Sequence, residues 1–248
     1  ELLRRFVAGG GELLDLEYLV NSSGQRVVAF GYWAGFVGGA LGALQLAGEL
    51  TAPLVPMSLD ELAGKLESAG TRLTGATAVV TGAFGRAGRG ATDARVLAGV
   101  GVSRWDRDDT RDLDSDALVA HDLLVHCVHA NVPQPPFLTE ADRTRPGRRL
   151  RVLADVTADV PSDLNLLPVS NRLTSWSEPV RRIWDDPVPL DAIVIDNLPS
   201  LLPQQASQDF SSGLVPILPG LFTGDPVWGR AAATFHGAIT GLELTAEV

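Results

Sequence analysis

Apolar and polar positions change rhythm several times along the chain, and each rhythm predicts an element. Short apolar, β-branched runs recur at "ATAVVTG" (76–82), "VSRWD" (102–106), Leu123–Val128, "RLRVLADVT" (149–157) and "LDAIVID" (190–196). Turn residues bound each run, and stretches of helical character separate them. Such runs are strands buried on both faces, so the pattern predicts a parallel sheet covered by helices. Between the strands, "GRAGRGATDARVLAGVG" (85–101) holds a turn and a helix, and the stretch from Asp116 to Asp122 is a helix end. Earlier, "SLDELAGKLESAG" (58–70) reads as an amphipathic helix ending at Gly70, with Ser58 and Glu61 spaced as a capping box. "LLDLEYLV" (13–20) predicts a strand, "NSSG" (21–24) a turn, and Arg26–Leu50 a strand end leading into a long apolar helix. "TAPLVP" (51–56) is a proline-marked connection. Towards the C-terminus, "LPSLLPQQASQDFSSGLVPIL" (198–218) and "PVWGRAAATFHGAITGLEL" (226–244) predict helices.

The long apolar helix raises a question of its own. Val27–Gly48 carries no charge over 22 residues, long enough to span a bilayer. Gly31, Gly35 and Gly39 stand at four-residue spacing, as on a membrane dimer face. The favoured reading is a buried helix of a soluble protein, whose glycines admit a neighbouring backbone. A single span would lack the basic flank that sets orientation.

Composition agrees with a soluble α/β protein. The 248 residues are 45% hydrophobic and 20% charged, enough for a packed core in one large domain or two small ones. A net charge of −10 argues against partners held by a basic face, so neither nucleic acid nor an acidic membrane is expected. Cys127 is the only cysteine; it excludes an intrachain disulfide and a cysteine-rich metal site, and suits the cytoplasm. "ELLRRFVAGG" (1–10) has no signal-peptide pattern. The chain starts at Glu1 rather than Met, so a processed or truncated product is expected.

The chemistry concentrates in "TGAFGRAGRG" (81–90), where Gly82, Gly85 and Gly88 follow a strand at three-residue steps. Glycines there allow a tight turn, close approach of backbone N–H groups to a pyrophosphate, and close packing of helix on strand. The helix N-terminus then meets the anion. The spacing is G-x-x-G-x-x-G rather than G-x-G-x-x-G, so a ligand-free glycine turn stays open. Asp106, ending the second strand, is placed to accept the hydroxyls of an adenosine ribose, which favours NAD over NADP. Arg104 and Arg107 beside it can reverse that preference, and a solvated turn residue is the plainer alternative. In "VHCVHA" (125–130), His126 and Cys127 point to opposite faces of a strand, so no metal is expected; His129 is a cofactor contact. No G-x-S-x-G elbow is present.

Taken together, these motifs resemble the NAD-dependent, lysine-forming saccharopine dehydrogenases of the alanine dehydrogenase-like superfamily. The resemblance runs in order through "GGGELLDLEYLV" (9–20), "GQRVVAFGYWAGFVGGALG" (24–42), "VVTGAFGRAGRGA" (79–91), "WDRDDT" (105–110), "HCVHANVPQPPFL" (126–138), "RRLRVLADVTAD" (148–159), "AIVIDNLPSLLPQQAS" (192–207) and "VWGRA" (227–231). It implies a Rossmann-like doubly wound parallel sheet with part of a second α/β substrate domain. Residues 1–52 would be the end of the substrate domain with the inter-domain helix, 53–198 the dinucleotide-binding domain, and 199–248 helices returning to the substrate domain.

The resemblance also implies roles. Arg26 would bind the amino-acid carboxylate, Phe30 would line that pocket, and Thr157, Ala158 and Asp159 would contact substrate. Gly82, Gly85, Arg86 and Gly88 would serve the pyrophosphate, Asp106 and Thr110 the ribose, and His129, Val156, Ile195, Asp196, Asn197 and Leu198 the rest of the NAD. His129 stands where the family often has tyrosine. Gln25 replaces a cofactor-binding arginine, and "VPSDLN" (160–165) departs from the family's T-T-N-P. The family's general-base lysine and acid histidine lie upstream of the first motif, and Lys65, the only lysine, is elsewhere. No catalytic residue is therefore expected within the chain; a missing N-terminal segment or a second polypeptide would supply them. In the family, hydride leaves a secondary amine for NAD, and water splits the imine into lysine and 2-oxoglutarate. The alternatives are a catalytically silent NAD-binding or regulatory protein, a fragment, or an enzyme acting on another imino acid.

Overall fold

The computed structural model describes residues 1–160 and 162–240. They fall into two compact units, a larger one from Gly31 to Ala206 and a smaller one made of Glu1–Phe30 with the chain from Ser207 on. The boundary at Gly31 puts the whole apolar helix in the larger unit.

The chain opens with α1 (Leu2–Ala8), then a single 3-10 turn, Leu16–Tyr18, where 13–20 predicts a strand. Local side chains explain the difference. Asp15 accepts from the Glu17 N–H at 2.9 Å, and Asn21 Oδ1 accepts from the N–H groups of Ser23 and Gln25. These bonds compete with a ladder, and only one antiparallel bridge forms, Val20 with Arg26. Next come α2 (Gly31–Ala47), α3 (Leu59–Gly70), β1 (Thr77–Thr81), α4 (Arg86–Leu97) and β2 (Gly101–Trp105). They are followed by α5 (Arg107–Arg111), α6 (Ser115–Val119), β3 (Leu123–His126), β4 (Val152–Asp155), β5 (Arg181–Trp184) and β6 (Leu190–Ile193). The chain continues through α7 (Pro203–Leu214), α8 (Gly220–Thr223) and α9 (Pro226–Ile239). Residues 241–244 of the predicted last helix, and Pro161 within "VPSDLN", lie outside the described residues.

The six strands form one sheet in the order β2-β1-β3-β4-β6-β5. The pairs from β2 through to β6 are parallel, and β5 runs antiparallel to β6 at the edge. The apolar rhythm misses β5 because an edge strand is paired on one side only and tolerates Arg181 and Arg182. Alternate strand residues enter two cores. Val80, Val125, Ala154 and Ile193 face the layer of α2 and α4. Val79, Leu124, Leu153 and Ala192 face the other way, with Leu118, Leu138 and Leu167.

The sequence's lack of charge in α2 has a packing cause. A Cβ on Gly35 would come 1.7 Å from the Ala87 carbonyl oxygen, and one on Gly90 2.0 Å from that of Tyr32. The backbones of α2 and α4 therefore touch, and Gly35–Leu44 is buried throughout. Among the described residues no helix is long and apolar enough to cross a membrane. Ser58 caps α3 as predicted, accepting from the Glu61 N–H at 3.1 Å, while the Glu61 carboxylate turns to Lys65 at 3.8 Å. The smaller unit has its own core of Leu19, Val28, Trp228 and Ala231, and Arg230 Nε ties it further by donating to the Val20 carbonyl at 2.7 Å.

Asp122, between α6 and β3, locks the start of the sheet. It accepts from the Thr77 N–H at 2.9 Å and from Arg149 and Arg151 at 2.8 and 3.1 Å. Burial raises its pKa, but Thr77, Arg149 and Arg151 outweigh burial, and the net value falls below the ordinary 3.8. A depressed carboxylate contributes stability above its unfolded pKa and loses it as pH falls through the folded value. Asp122→Asn is expected to cost about 1–3 kcal/mol at neutral pH. The difference from the parent should shrink below about pH 4, as checked by urea melts at both pH values.

Candidate functional site

β1 delivers the chain into the glycine turn. Gly82 adopts φ +66°, and a Cβ there would lie 2.9 Å from the Cys127 carbonyl oxygen. The turn thus presses against the end of β3. Gly85 donates its N–H to the Gly82 carbonyl at 3.0 Å and stands as N-cap of α4. A Cβ on Gly88 would fall 2.2 Å from the Gly82 oxygen, so the first turn of α4 rides directly on the turn that leaves the strand. Arg86 is the first residue of α4.

A cleft of about 500 Å³ opens beside this turn. Gly82, Phe84 and Gly85 form one wall, Asp106, Arg107 and Thr110 a second, and Cys127 to His129 a third. Its place follows from the strand order. The chain leaves β1 for β2 on one side and then crosses to β3 on the other, so the segments after β1 and β3 diverge. Ligands of doubly wound sheets bind in that crevice.

Asp106 caps α5 rather than standing free in a turn. Its Oδ1 accepts from the Asp108 and Asp109 N–H groups at 2.7 and 3.4 Å, and Asp109 accepts from the Asp106 N–H at 2.7 Å. The Thr110 hydroxyl donates to the Asp106 carbonyl at 2.8 Å. This network fixes both residues on the cleft wall.

The segment after β4 is held by a residue that no motif singles out. Asp155, 1% exposed, accepts through Oδ1 from the N–H and hydroxyl of Thr157, at 3.0 and 2.7 Å, and from the Ala158 N–H at 3.2 Å. Ala158 takes the left-handed φ of +50°, a strained backbone that persists where its surroundings enforce it. Beyond it, Asp159 Oδ2 lies 3.7 Å from Nδ1 of His129. His126, opposite Asp155 in register, is buried with Nδ1 3.0 Å from the Thr81 hydroxyl. Burial holds its pKa below the usual histidine value, against the pull of Asp155. Burial and the Asp155 charge push the Cys127 thiol up, against Arg95. Among the described residues no His, Cys, Asp and Glu cluster is placed to hold a metal ion.

The structure therefore gathers Gly82, Gly85, Asp106, Thr110 and His129 on one cleft. Val156 and Leu198 instead pack on α2, where a Cβ on Gly38 would meet them at 2.6 and 3.3 Å. Ile195 and Leu198 are core side chains, whereas Asp196 and Asn197 are exposed, with Asn197 at φ +55°. Arg26 and Phe30 belong to the smaller unit. There Arg26 pairs with Glu17 at 3.1 Å, and Phe30 stacks on Phe210 with centroids 4.4 Å apart.

A glycine turn joining strand to helix, at the switch point of a mostly parallel sheet, defines a dinucleotide-binding α/β domain. No family model matches the chain. Among curated proteins it is 34% identical to the saccharopine dehydrogenase [NAD(+), L-lysine-forming] of Schizosaccharomyces pombe, over 98% of this chain and 72% of that protein. The Yarrowia lipolytica protein of the same name is 36% identical over 95% of this chain and 69% of its own length. The Neurospora crassa one is 36% identical over 99% and 71%. The chain belongs to this saccharopine dehydrogenase family. In fold it is similar to an L-alanine dehydrogenase structure, with a TM-score of 0.55 at 14% identity, over 95% of this chain and 66% of that one.

Proposed function

We propose that the chain is an NAD-dependent amino-acid dehydrogenase that oxidises the secondary amine of saccharopine, releasing lysine and 2-oxoglutarate. The observation that carries this reading is the cradle at Gly82 and Gly88, where no side chain fits, opening into a cleft walled by Asp106 and Thr110. In a member of this family, that cradle suits a pyrophosphate and that wall an adenosine ribose. When bound, NAD supplies the hydride acceptor. The chain's own residues do the rest. Gly82, Gly85 and Arg86 present backbone and charge to the pyrophosphate. Asp106 and Thr110 hold the ribose end, and His129 stands by the diphosphate. The Thr157–Asp159 segment, fixed by Asp155, meets the substrate.

Incubation with NAD and saccharopine of the chain supplemented by a polypeptide that carries the proton-transfer lysine and histidine should form NADH and lysine in equal amounts, whereas the chain alone should bind NADH without measurable turnover. NADH from another secondary-amine amino acid and none from saccharopine would move the substrate to that compound, a reading that Gln25 and the departure at 160–165 favour. No NADH at all would overturn the dehydrogenase assignment.

A further inference from the structure

Two buried residues end neighbouring strands beside the cleft, and the segments they release meet again. His126 closes β3 and Asp155 closes β4, side by side in register and each 1% exposed. The chain runs from His126 to His129, on the cleft wall, and from Asp155 to Asp159, one residue further. There Asp159 Oδ2 lies 3.7 Å from His129 Nδ1. The extra residue is taken up at Ala158, whose φ of +50° is a conformation that a side chain disfavours. One buried oxygen enforces it. Asp155 Oδ1 gathers the Thr157 N–H and hydroxyl and the Ala158 N–H, at 3.0, 2.7 and 3.2 Å. The His126 ring beside it is held in turn, by the Thr81 hydroxyl at 3.0 Å and edge-on by Phe137 at 5.4 Å between centroids.

We propose that Asp155 is a positioning residue that holds the left-handed turn at Ala158 so that Asp159 reaches His129, and that this contact clasps the substrate segment to the cofactor wall. The inference rests on the reading that the cleft takes NAD and that residues 157–159 meet the substrate. Strained backbone persists where its surroundings over-determine it, and here three hydrogen bonds to a carboxylate, the strong kind, do so. Without them Ala158 is free to return to a negative φ, which turns the following residue away from His129. With them, a dinucleotide that immobilises His129 also immobilises Asp159 and the segment behind it. Asp155 itself touches neither cofactor nor substrate in this scheme, and it acts only through the turn.

The test is amide hydrogen exchange of the full chain, with and without saturating NADH, for the parent, Asp155→Ala, Asp155→Ala with Ala158→Gly, and Asp159→Ala. In the parent, NADH is expected to slow exchange at 82–88 and, by about tenfold, at 157–159. Asp155→Ala should remove the slowing at 157–159 and keep it at 82–88. The added Ala158→Gly should restore part of it, because glycine takes a positive φ without strain; a residue that merely supports the core would not be rescued in this way. Asp159→Ala leaves the turn intact and should also remove the slowing at 157–159. Should Asp155→Ala fail to fold, Thr157→Val, which deletes one of the three bonds, takes its place. No slowing at 82–88 in the parent overturns the dinucleotide reading itself. Slowing there with none at 157–159 overturns this inference alone. So does slowing at 157–159 that survives the loss of Asp155 or Asp159, or a glycine variant that recovers none of it.

Discussion

Gly35→Ala is expected to lower the stability of the larger unit by about 3 kcal/mol or more, beyond the usual cost of overpacking a core. The added methyl would sit 1.7 Å from the Ala87 carbonyl oxygen, and backbone cannot swing aside as a flexible side chain does. The helices α2 and α4 would have to part along their whole crossing, which also holds Gly90 against Tyr32. Their separation would loosen the core that includes Val80, Val125 and Ala154. Chemical denaturation of the parent and the variant measures the effect. Gly64→Ala, on α3 with nothing within 4 Å of the new atom, is the control and should be neutral or slightly stabilising. Equal stabilities for the parent and Gly35→Ala would contradict the contact of backbone on backbone.

Gly88→Ala is expected to cost about a hundredfold in NADH affinity. Its Cβ would meet the Gly82 oxygen at 2.2 Å and the Ala83 Cα at 2.4 Å, so the first turn of α4 must lift away from the glycine turn. Two charge-assisted hydrogen bonds that this turn is proposed to give a pyrophosphate, each worth roughly 1.5 kcal/mol, would then lose their geometry. Titration with NADH reads the loss. Affinity unchanged by this substitution would show that the nucleotide, if bound, does not use the cradle.

Much of this architecture was legible because its signals are local. Buried parallel strands are apolar on both faces, so the cores of β1, β3, β4 and β6 stood out as runs, and Ser58 announced the start of α3. The glycine turn was legible for the same reason: Gly82 and Gly88 are places where nothing larger fits. What stayed hidden depends on distant partners or on competition. β5 is an edge strand whose arginines break the apolar rhythm. Residues 13–20 have strand composition, but Asp15 and Asn21 satisfy the local backbone themselves. Asp155 falls inside the apolar run 149–157, and its hold on Thr157 and Ala158 appears only where β4 ends and the chain turns at φ +50°. Arg95 is fully buried among Gly42, Leu123 and Ala154, with its pKa pushed down to about 9 by burial, and no local pattern marks it off from a helix-surface arginine. Asp106 was read as a ribose ligand, and its part in capping α5 lay in the order of Asp108 and Asp109 behind it.

The cleft between the ends of β1, β2 and β3 is the proposed seat of the dinucleotide. Amide hydrogen exchange of the full chain, with and without saturating NADH, tests it most directly. Exchange at 82–88, 106–110 and 127–131 is expected to slow on addition of NADH. Unchanged exchange in all three segments, or protection confined to other parts of the chain, would contradict it.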